Sequence, residues 1–409
     1  MMKIIVLGNH TKALMLFRGR LIKRFVDLGH TVIAYAPEDD PKTADELGLM
    51  GAEFRQLLFD RTGMSIFQDL LFMLRFWRIL LEEKPDILLS YTIKPVIFGS
   101  LAAYLAGIRR CYSVITGLGY VFIGDGAGKK FLRLLVVKLY KLALFFNDTV
   151  FFLNKDDFAT FLKYRILNNT KSYKLIDGEG IDLNKYSIKT TRIQIINGSG
   201  VDLSVYKGTS VAVREAGEAG EAGEAGYIFL LIARLIIDKG IREYVNAARI
   251  IKEKYPKINF WIVGAFDSNP TAISQVEVEQ WIDEGVITYH GETRDVRPYI
   301  NNSSIFVLPS YREGIPRTVL EAMAMGRPII TTDAPGCRET VVNGDNGFLV
   351  PIKDVSALAN AMEQFILHPQ LIEKMGRRSL EIATEKFDVH KVNDSILRSM
   401  GLIPDIRIP

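Results

Sequence analysis

Short apolar runs of strand length alternate with segments of helical period along most of this chain, and that alternation decides the fold class. "KIIVLG", "TVIAYAP", "DILLSY", "YSVITG" and "TVFFLN" are separated by stretches such as "RGRLIKRFVDLG". This βαβ rhythm predicts parallel strands with helices on the faces of a sheet. The rhythm restarts after residue 226 with "YIFLLIARL", "KINFWIVG", "GVITYHG", "SIFVLPS" and "RPIITTD". At 409 residues the chain is also too long for one ordinary core. Two doubly wound, Rossmann-like α/β domains in series are therefore expected.

Between them lies "EAGEAGEAGEAG", a fourfold triplet. Gly at every third position works against a helix and the glutamates work against a buried strand, so a solvated linker is expected. Upstream, "DGEGIDLNKY" (177–186) and "NGSGVDLSVY" (197–206) repeat one pattern at an offset of 20 residues. Either copy can serve as the turn between domains. The expected boundaries are 1–205, a linker at 206–226, a second domain at 227–386, and a C-terminal segment at 387–409. The last of these is expected to return to the first domain.

A hydrophobic content of 48% with 24% charged residues is globular. Cys111 and Cys337 have no CxxC or Cys/His spacing, so neither a disulfide framework nor a zinc site is indicated. The apolar run near Met1 is too short for an export signal and reads as a buried strand. "PVIFGSLAAYLAGI", 14 residues, is shorter than the roughly 20 a spanning helix needs. Residues 1–205 carry 28 Lys and Arg against 20 Asp and Glu, a net +8, and the remainder carries 23 against 27, a net −4. The basic half is expected to meet the anionic partner.

The densest chemical signal is "YREGIPRTVLEAMAMGRP", residues 311–328. Pro316 and the pair Gly326 and Pro328 delimit a helix at about Pro316 to Met325. Glu313 precedes it and Glu321 lies about five residues in, roughly 7 to 8 Å further along the axis. Two carboxylates so placed can address two parts of one extended ligand, with the backbone N–H groups between them favouring a phosphate. An ordinary surface pair of Glu321 with Arg317 is the alternative. Arg234 and Lys239, in "LIARLIIDKG", stand at the carboxyl end of the second domain's first strand, where ligands bind in open parallel sheets. Two cations there can neutralise a diphosphate leaving group.

"ARLIIDKG", "WIVG", "HGETRDV", "VLPSYREGIPRTVLEAMAMGRPIITTDAPGCRET" and "NGFLV", in this order, resemble the family 4 glycosyltransferases of the GT-B fold. The resemblance implies two Rossmann-like domains facing a cleft, the first binding the acceptor and the second the donor. It implies retaining transfer from a nucleotide sugar, with a UDP-sugar expected, and no metal or other cofactor. Arg234 and Lys239 would hold the diphosphate, Glu321 the ribose, and Glu313 the transferred sugar. Gly314 and Ile315 would contact phosphate or sugar, Gly264 and Thr293 would line the base pocket, and Gly8 would approach the donor phosphates. Many members carry a His near the donor sugar where this chain has Thr116, which would lie in the vicinity of the acceptor or sugar, and a hydroxyl cannot replace the imidazole as cation or base.

"FRGRLIKRFVDLGHTVIAYAP", "YTIKPVIFGSLAAYLAGI" and "VITGLGYVF" look like the subgroup that adds N-acetylhexosamine to undecaprenyl-diphosphate-linked glycans. That resemblance implies a lipid-linked saccharide acceptor and a place on the cytoplasmic face of the inner membrane. From Lys129 to Lys141 five basic residues share a half-turn arc with apolar neighbours, which suits either an interfacial helix or a buried one with snorkelling lysines. "FQDLLFMLRFWRIL" (67–80) is expected in the core. Two rival readings are a nucleotide-sugar epimerase of the same fold and a non-enzymatic binder of anionic surfaces. No basic motif interleaved with aromatics points to nucleic acid.

Overall fold

The computed structural model describes residues 1–60, 65–118, 122, 126–167, 173 and 174, 192–206, 226–267 and 271–404. They form two units, Met1–Ser199 with Val392–Pro409, and Gly200–Lys391. The turn between units falls inside the second repeat copy, at Ser199 and Gly200, six residues before the expected boundary. The first copy and nearly all of the EAG repeat lie outside the described residues.

The first unit holds β1 (Lys3–Leu7), β2 (Thr31–Ala36), β3 (Glu53–Gln56), β4 (Ile87–Tyr91), β5 (Arg110–Ile115), β6 (Thr149–Phe152), β7 (Tyr173–Lys174) and β8 (Arg192–Ile195). They make one sheet in the order β3-β2-β1-β4-β5-β6-β8-β7, and every pairing is parallel. Strands covered on both faces need continuous apolar sequence, and Ile4, Ile5, Val6 and Leu7 are all buried. The order reverses between β1 and β4.

The second unit holds β9 (Ile228–Ile232), β10 (Asn259–Val263), β11 (Thr288–Tyr289), β12 (Ile305–Leu308), β13 (Ile329–Thr332) and β14 (Gly347–Val350). Their order is β11-β10-β9-β12-β13-β14, again parallel throughout, with the reversal between β9 and β12. Successive side chains of β9 enter two cores: Phe229 and Leu231 join one, Leu230 and Ile232 the other. This is the period of a strand with both faces buried.

The helix Ile66–Glu83 departs from the expected core role. It buries Phe72, Phe76 and Leu80 but exposes Ile66, Phe67, Leu70, Leu71, Leu74 and Leu81. Helix Ala127–Leu144 divides in the same way: Val136, Val137, Tyr140, Ala143 and Leu144 are buried, whereas Phe131, Leu134, Lys138, Lys141 and Leu142 are exposed. Among the described residues, no helix is long and apolar enough to cross a membrane. The chain rejoins the first unit at Val392, where Gln194 Nε2 donates to Ser395 Oγ at 2.6 Å and Tyr112 Oη to the Met400 carbonyl at 3.4 Å.

Candidate active site

In a doubly wound sheet the crossovers on either side of the reversal leave in opposite directions, which opens a crevice at the carboxyl ends of the two central strands. In the second unit those strands are β9 and β12. The segment after β9 carries Arg234 and Lys239, and the segment after β12 carries Ser310 to Ile315. The two are tied together at Asp238, whose carbonyl accepts from the Tyr311 amide at 2.8 Å and from Ser310 Oγ at 3.1 Å.

That tie brings two of the three expected catalytic residues, Lys239 and Glu313, into contact. Lys239 Nζ donates to Glu313 Oε1 in an ion pair, with the two side chains only 18% and 14% exposed. Arg234 is more open and pairs with Asp267 Oδ2 at 2.8 Å. The Glu313 amide donates to the Pro335 carbonyl at 2.9 Å, which fixes the loop against the segment after β13. Gly336, at φ +78°, makes that approach possible: a Cβ there would stand 2.4 Å from the carbonyl oxygens of Glu313 and Gly314. Ile315 packs on the core beneath.

The helix that follows runs from Arg317 to Ala324, so Pro316 occupies the cap position rather than the first helical one. Glu321 faces inward and is 4% exposed. Its Oε1 accepts from Arg317 Nε at 2.8 Å and from Tyr206 Oη at 2.7 Å. The Arg317 pair open as an alternative from spacing is therefore present, but buried. Burial, with the Glu321 carboxylate beside it, pushes the Tyr206 hydroxyl well above its ordinary range, so it stays a donor. Burial would lower Arg317, but Glu321 and Tyr206 outweigh it and hold the guanidinium charged.

Of the remaining positions, Gly264 lies against Ala233, the neighbour of Arg234: a Cβ there would stand 1.7 Å from the Ala233 carbonyl oxygen. The Gly264 amide donates to the Gly291 carbonyl at 2.8 Å, and its own carbonyl accepts from Tyr289 Oη at 2.7 Å, so Gly264 joins the ends of β10 and β11. Thr293 Oγ1 closes a local turn by donating to the Asp295 carbonyl at 3.0 Å. Gly8 and Thr116 follow β1 and β5 of the first unit. Cys337 lies under the loop with its thiol pushed up to about 12 by burial and by the charge of Glu313, so it is no thiolate nucleophile. Among the described residues, no group of three His, Cys, Asp or Glu could hold a metal ion.

Sequence reasoning missed Tyr206, Asp267 and Gly336. Tyr206 is 115 residues from its partner Glu321, and no local pattern links them. Gly336, in "DAPGCRET", carried a turn signal that pointed to a bend and not to what the bend supports.

Residues 226–368 match Glycosyl transferases group 1. The chain is 27% identical to the N,N'-diacetylbacillosaminyl-diphospho-undecaprenol alpha-1,3-N-acetylgalactosaminyltransferase of Campylobacter jejuni, over 94% of both chains. It is 24% identical to the capsular polysaccharide biosynthesis glycosyltransferase CapM of Staphylococcus aureus, over 94% of this chain and 93% of that one. The structure of Anabaena HepE in complex with UDP-glucose superposes with a TM-score of 0.73 at 19% identity, covering 98% of this chain and 100% of that one. Two parallel sheets with these strand orders, a group 1 domain over the second, and relatives along nearly the full length make this chain a glycosyltransferase of the GT-B fold.

Proposed function

We propose that the protein moves an N-acetylhexosamine from a UDP-sugar to a polyprenyl-diphosphate-linked saccharide, with retention of configuration at the anomeric carbon. The observation that carries the reading is the Lys239–Glu313 pair at the β9/β12 reversal, with Arg234 on the same strand end. A diphosphate arriving there competes with Glu313 for the Lys239 ammonium. The carboxylate so released is free to face the sugar, while Lys239 and Arg234 take the charge that builds on the leaving diphosphate. Since two fixed cations supply that charge, transfer proceeds without a divalent metal. Glu321, eight residues after Glu313, takes the ribose end of the donor.

The Campylobacter relative, an N-acetylgalactosaminyltransferase acting on a diphospho-undecaprenol, supports the sugar and acceptor classes. A lipid-linked acceptor calls for work at a membrane surface, on its cytoplasmic side. The exposed leucines and phenylalanines of helices Ile66–Glu83 and Ala127–Leu144, with Lys138 and Lys141 beside them, suit an interfacial location. The test is transfer to a synthetic polyprenyl-diphosphate disaccharide from a panel of UDP- and GDP-sugars, read by mass spectrometry and by NMR of the new linkage. Product from a UDP-N-acetylhexosamine with an α-linkage, unaffected by EDTA, is expected. Isomerised donor without acceptor, or an inverted linkage, would refute the reading.

A further inference from the structure

Tyr206 closes the second repeat copy, "NGSGVDLSVY", and belongs with Glu321 to the second unit. The short segment that carries it is pinned along its length. The Val201 amide donates to the Phe387 carbonyl at 2.7 Å, and the Val389 amide to the Val201 carbonyl at 3.0 Å. Asp202 then closes a turn. Its Oδ1 accepts from the Ser204 amide at 3.0 Å, and its carbonyl accepts from the Val205 amide at 3.0 Å and the Tyr206 amide at 3.2 Å. The buried Tyr206 ring joins the core that also holds Val319 and Leu320, the two residues before Glu321.

The hydroxyl so placed acts on Glu321, whose Oε1 accepts from Tyr206 Oη at 2.7 Å and from Arg317 Nε at 2.8 Å. Arg317 stands four residues earlier on the same helix. Alone, such a pair leaves two long side chains free to shift together. A second donor on a pinned backbone removes that freedom, and a tyrosine ring supplies it at low entropic cost. Both donors converge on Oε1, so among the described residues Oε2 is the oxygen left for a ligand. A phenylalanine would fill the same space in the core, so packing alone does not call for the hydroxyl.

We propose that Tyr206 is a positioning residue for the nucleotide: its hydroxyl holds Glu321 Oε1 so that Oε2 faces the ribose, and this sets the preference for a ribonucleotide over its 2′-deoxy counterpart. The inference rests on the reading that Glu321 takes the ribose end of the donor. A site built to accept from a hydroxyl rejects an analogue that lacks it, because the buried acceptor is then left short of a donor. That rejection is strong only while the acceptor is held in place. With the tyrosine hydroxyl gone the carboxylate can turn, and a missing 2′-hydroxyl costs less.

Calorimetric titration of the full chain with UDP, 2′-deoxy-UDP and inorganic pyrophosphate tests it, using wild type, Tyr206→Phe and Glu321→Gln. Wild type is expected to bind UDP about tenfold or more tightly than 2′-deoxy-UDP, the scale of one hydrogen bond to a charged group. Tyr206→Phe is expected to cut that ratio to about threefold or less and to leave pyrophosphate affinity within about twofold of wild type. Phenylalanine keeps the ring in the core, so the variant loses one hydrogen bond and no packing. If the hydroxyl is merely structural, Tyr206→Phe weakens all three ligands alike and keeps the wild-type ratio, which overturns the proposal. A wild-type ratio in Tyr206→Phe beside a lost ratio in Glu321→Gln also overturns it, and leaves the ribose reading of Glu321 standing. A wild-type ratio in Glu321→Gln refutes that reading and the proposal with it.

Discussion

Lys239 and Glu313 are 74 residues apart in the chain, yet the ammonium of one donates to the carboxylate of the other at the end of two adjacent strands. Each side chain is held mostly out of solvent, so neither is a mobile surface charge. Within the pair the two charges offset each other.

On the proposed reading, Glu313→Gln keeps the shape of the side chain and removes the charge. It is expected to lower kcat about 10² to 10³-fold, the scale of a lost transition-state electrostatic contact, while UDP binds at least as tightly as to wild type because Glu313 no longer competes for Lys239. Lys239→Ala is expected to weaken UDP binding and turnover together. Steady-state rates beside calorimetric titration separate the two patterns, and equal losses in both variants would contradict it.

Glu321→Ala is expected to act on stability as well as donor binding. It leaves Arg317 and the Tyr206 hydroxyl without their shared acceptor in a buried place. Removing one partner of a buried ion pair costs about 3 to 5 kcal/mol. Tyr206→Phe breaks one hydrogen bond and should cost about 1 kcal/mol. Urea unfolding of both variants gives the comparison, and a Glu321→Ala cost no larger than that of Tyr206→Phe would show that the pair is not stabilising.

Gly336→Ala should disturb the active loop from outside it. The added methyl would meet two carbonyl oxygens of the Glu313 segment, at a positive φ that alanine disfavours. A loss of about 1 to 3 kcal/mol from the strained backbone and a fall in kcat are expected. Thermal unfolding and initial rates measure both effects.

His290 sets a pH dependence. Its ring lies near Trp261 and Tyr299, with centroids 4.7 and 5.1 Å away, and Nε2 has no partner. Burial lowers its pKa. The unfolded chain therefore takes up a proton near the ordinary imidazole value of about 6.5, before the folded protein does. Stability is unaffected well above that value and falls as pH drops through it. The Tm should decline from pH 7.5 toward 5.5, and His290→Gln should flatten part of the slope; an identical slope would remove His290 as the cause.

The EAG repeat is predicted to be dispensable. Deleting residues 215–223 keeps the reading frame of the repeat and removes no apolar side chain larger than alanine. Activity near that of wild type is expected in the same transfer assay, and a large loss would make the repeat functional.

The sequence by itself determined the two parallel sheets, because strands buried on both faces must be apolar without interruption and each is followed by a helical or turn segment. It also put Arg234, Lys239, Glu313 and Glu321 at strand ends and a helix start, since Gly and Pro punctuate those segments locally. What it left open was which side chains meet. Spacing in one segment allowed Glu321 to pair with Arg317, but it did not show that the pair is buried and shares its carboxylate with Tyr206, 115 residues away in the chain. The aromatic helix Ile66–Glu83 reads as core from composition, yet a helix packed on a sheet buries one stripe and leaves the rest outside. Charge is written in the sequence, whereas burial and the absence of a counter-charge are properties of everything packed around a residue.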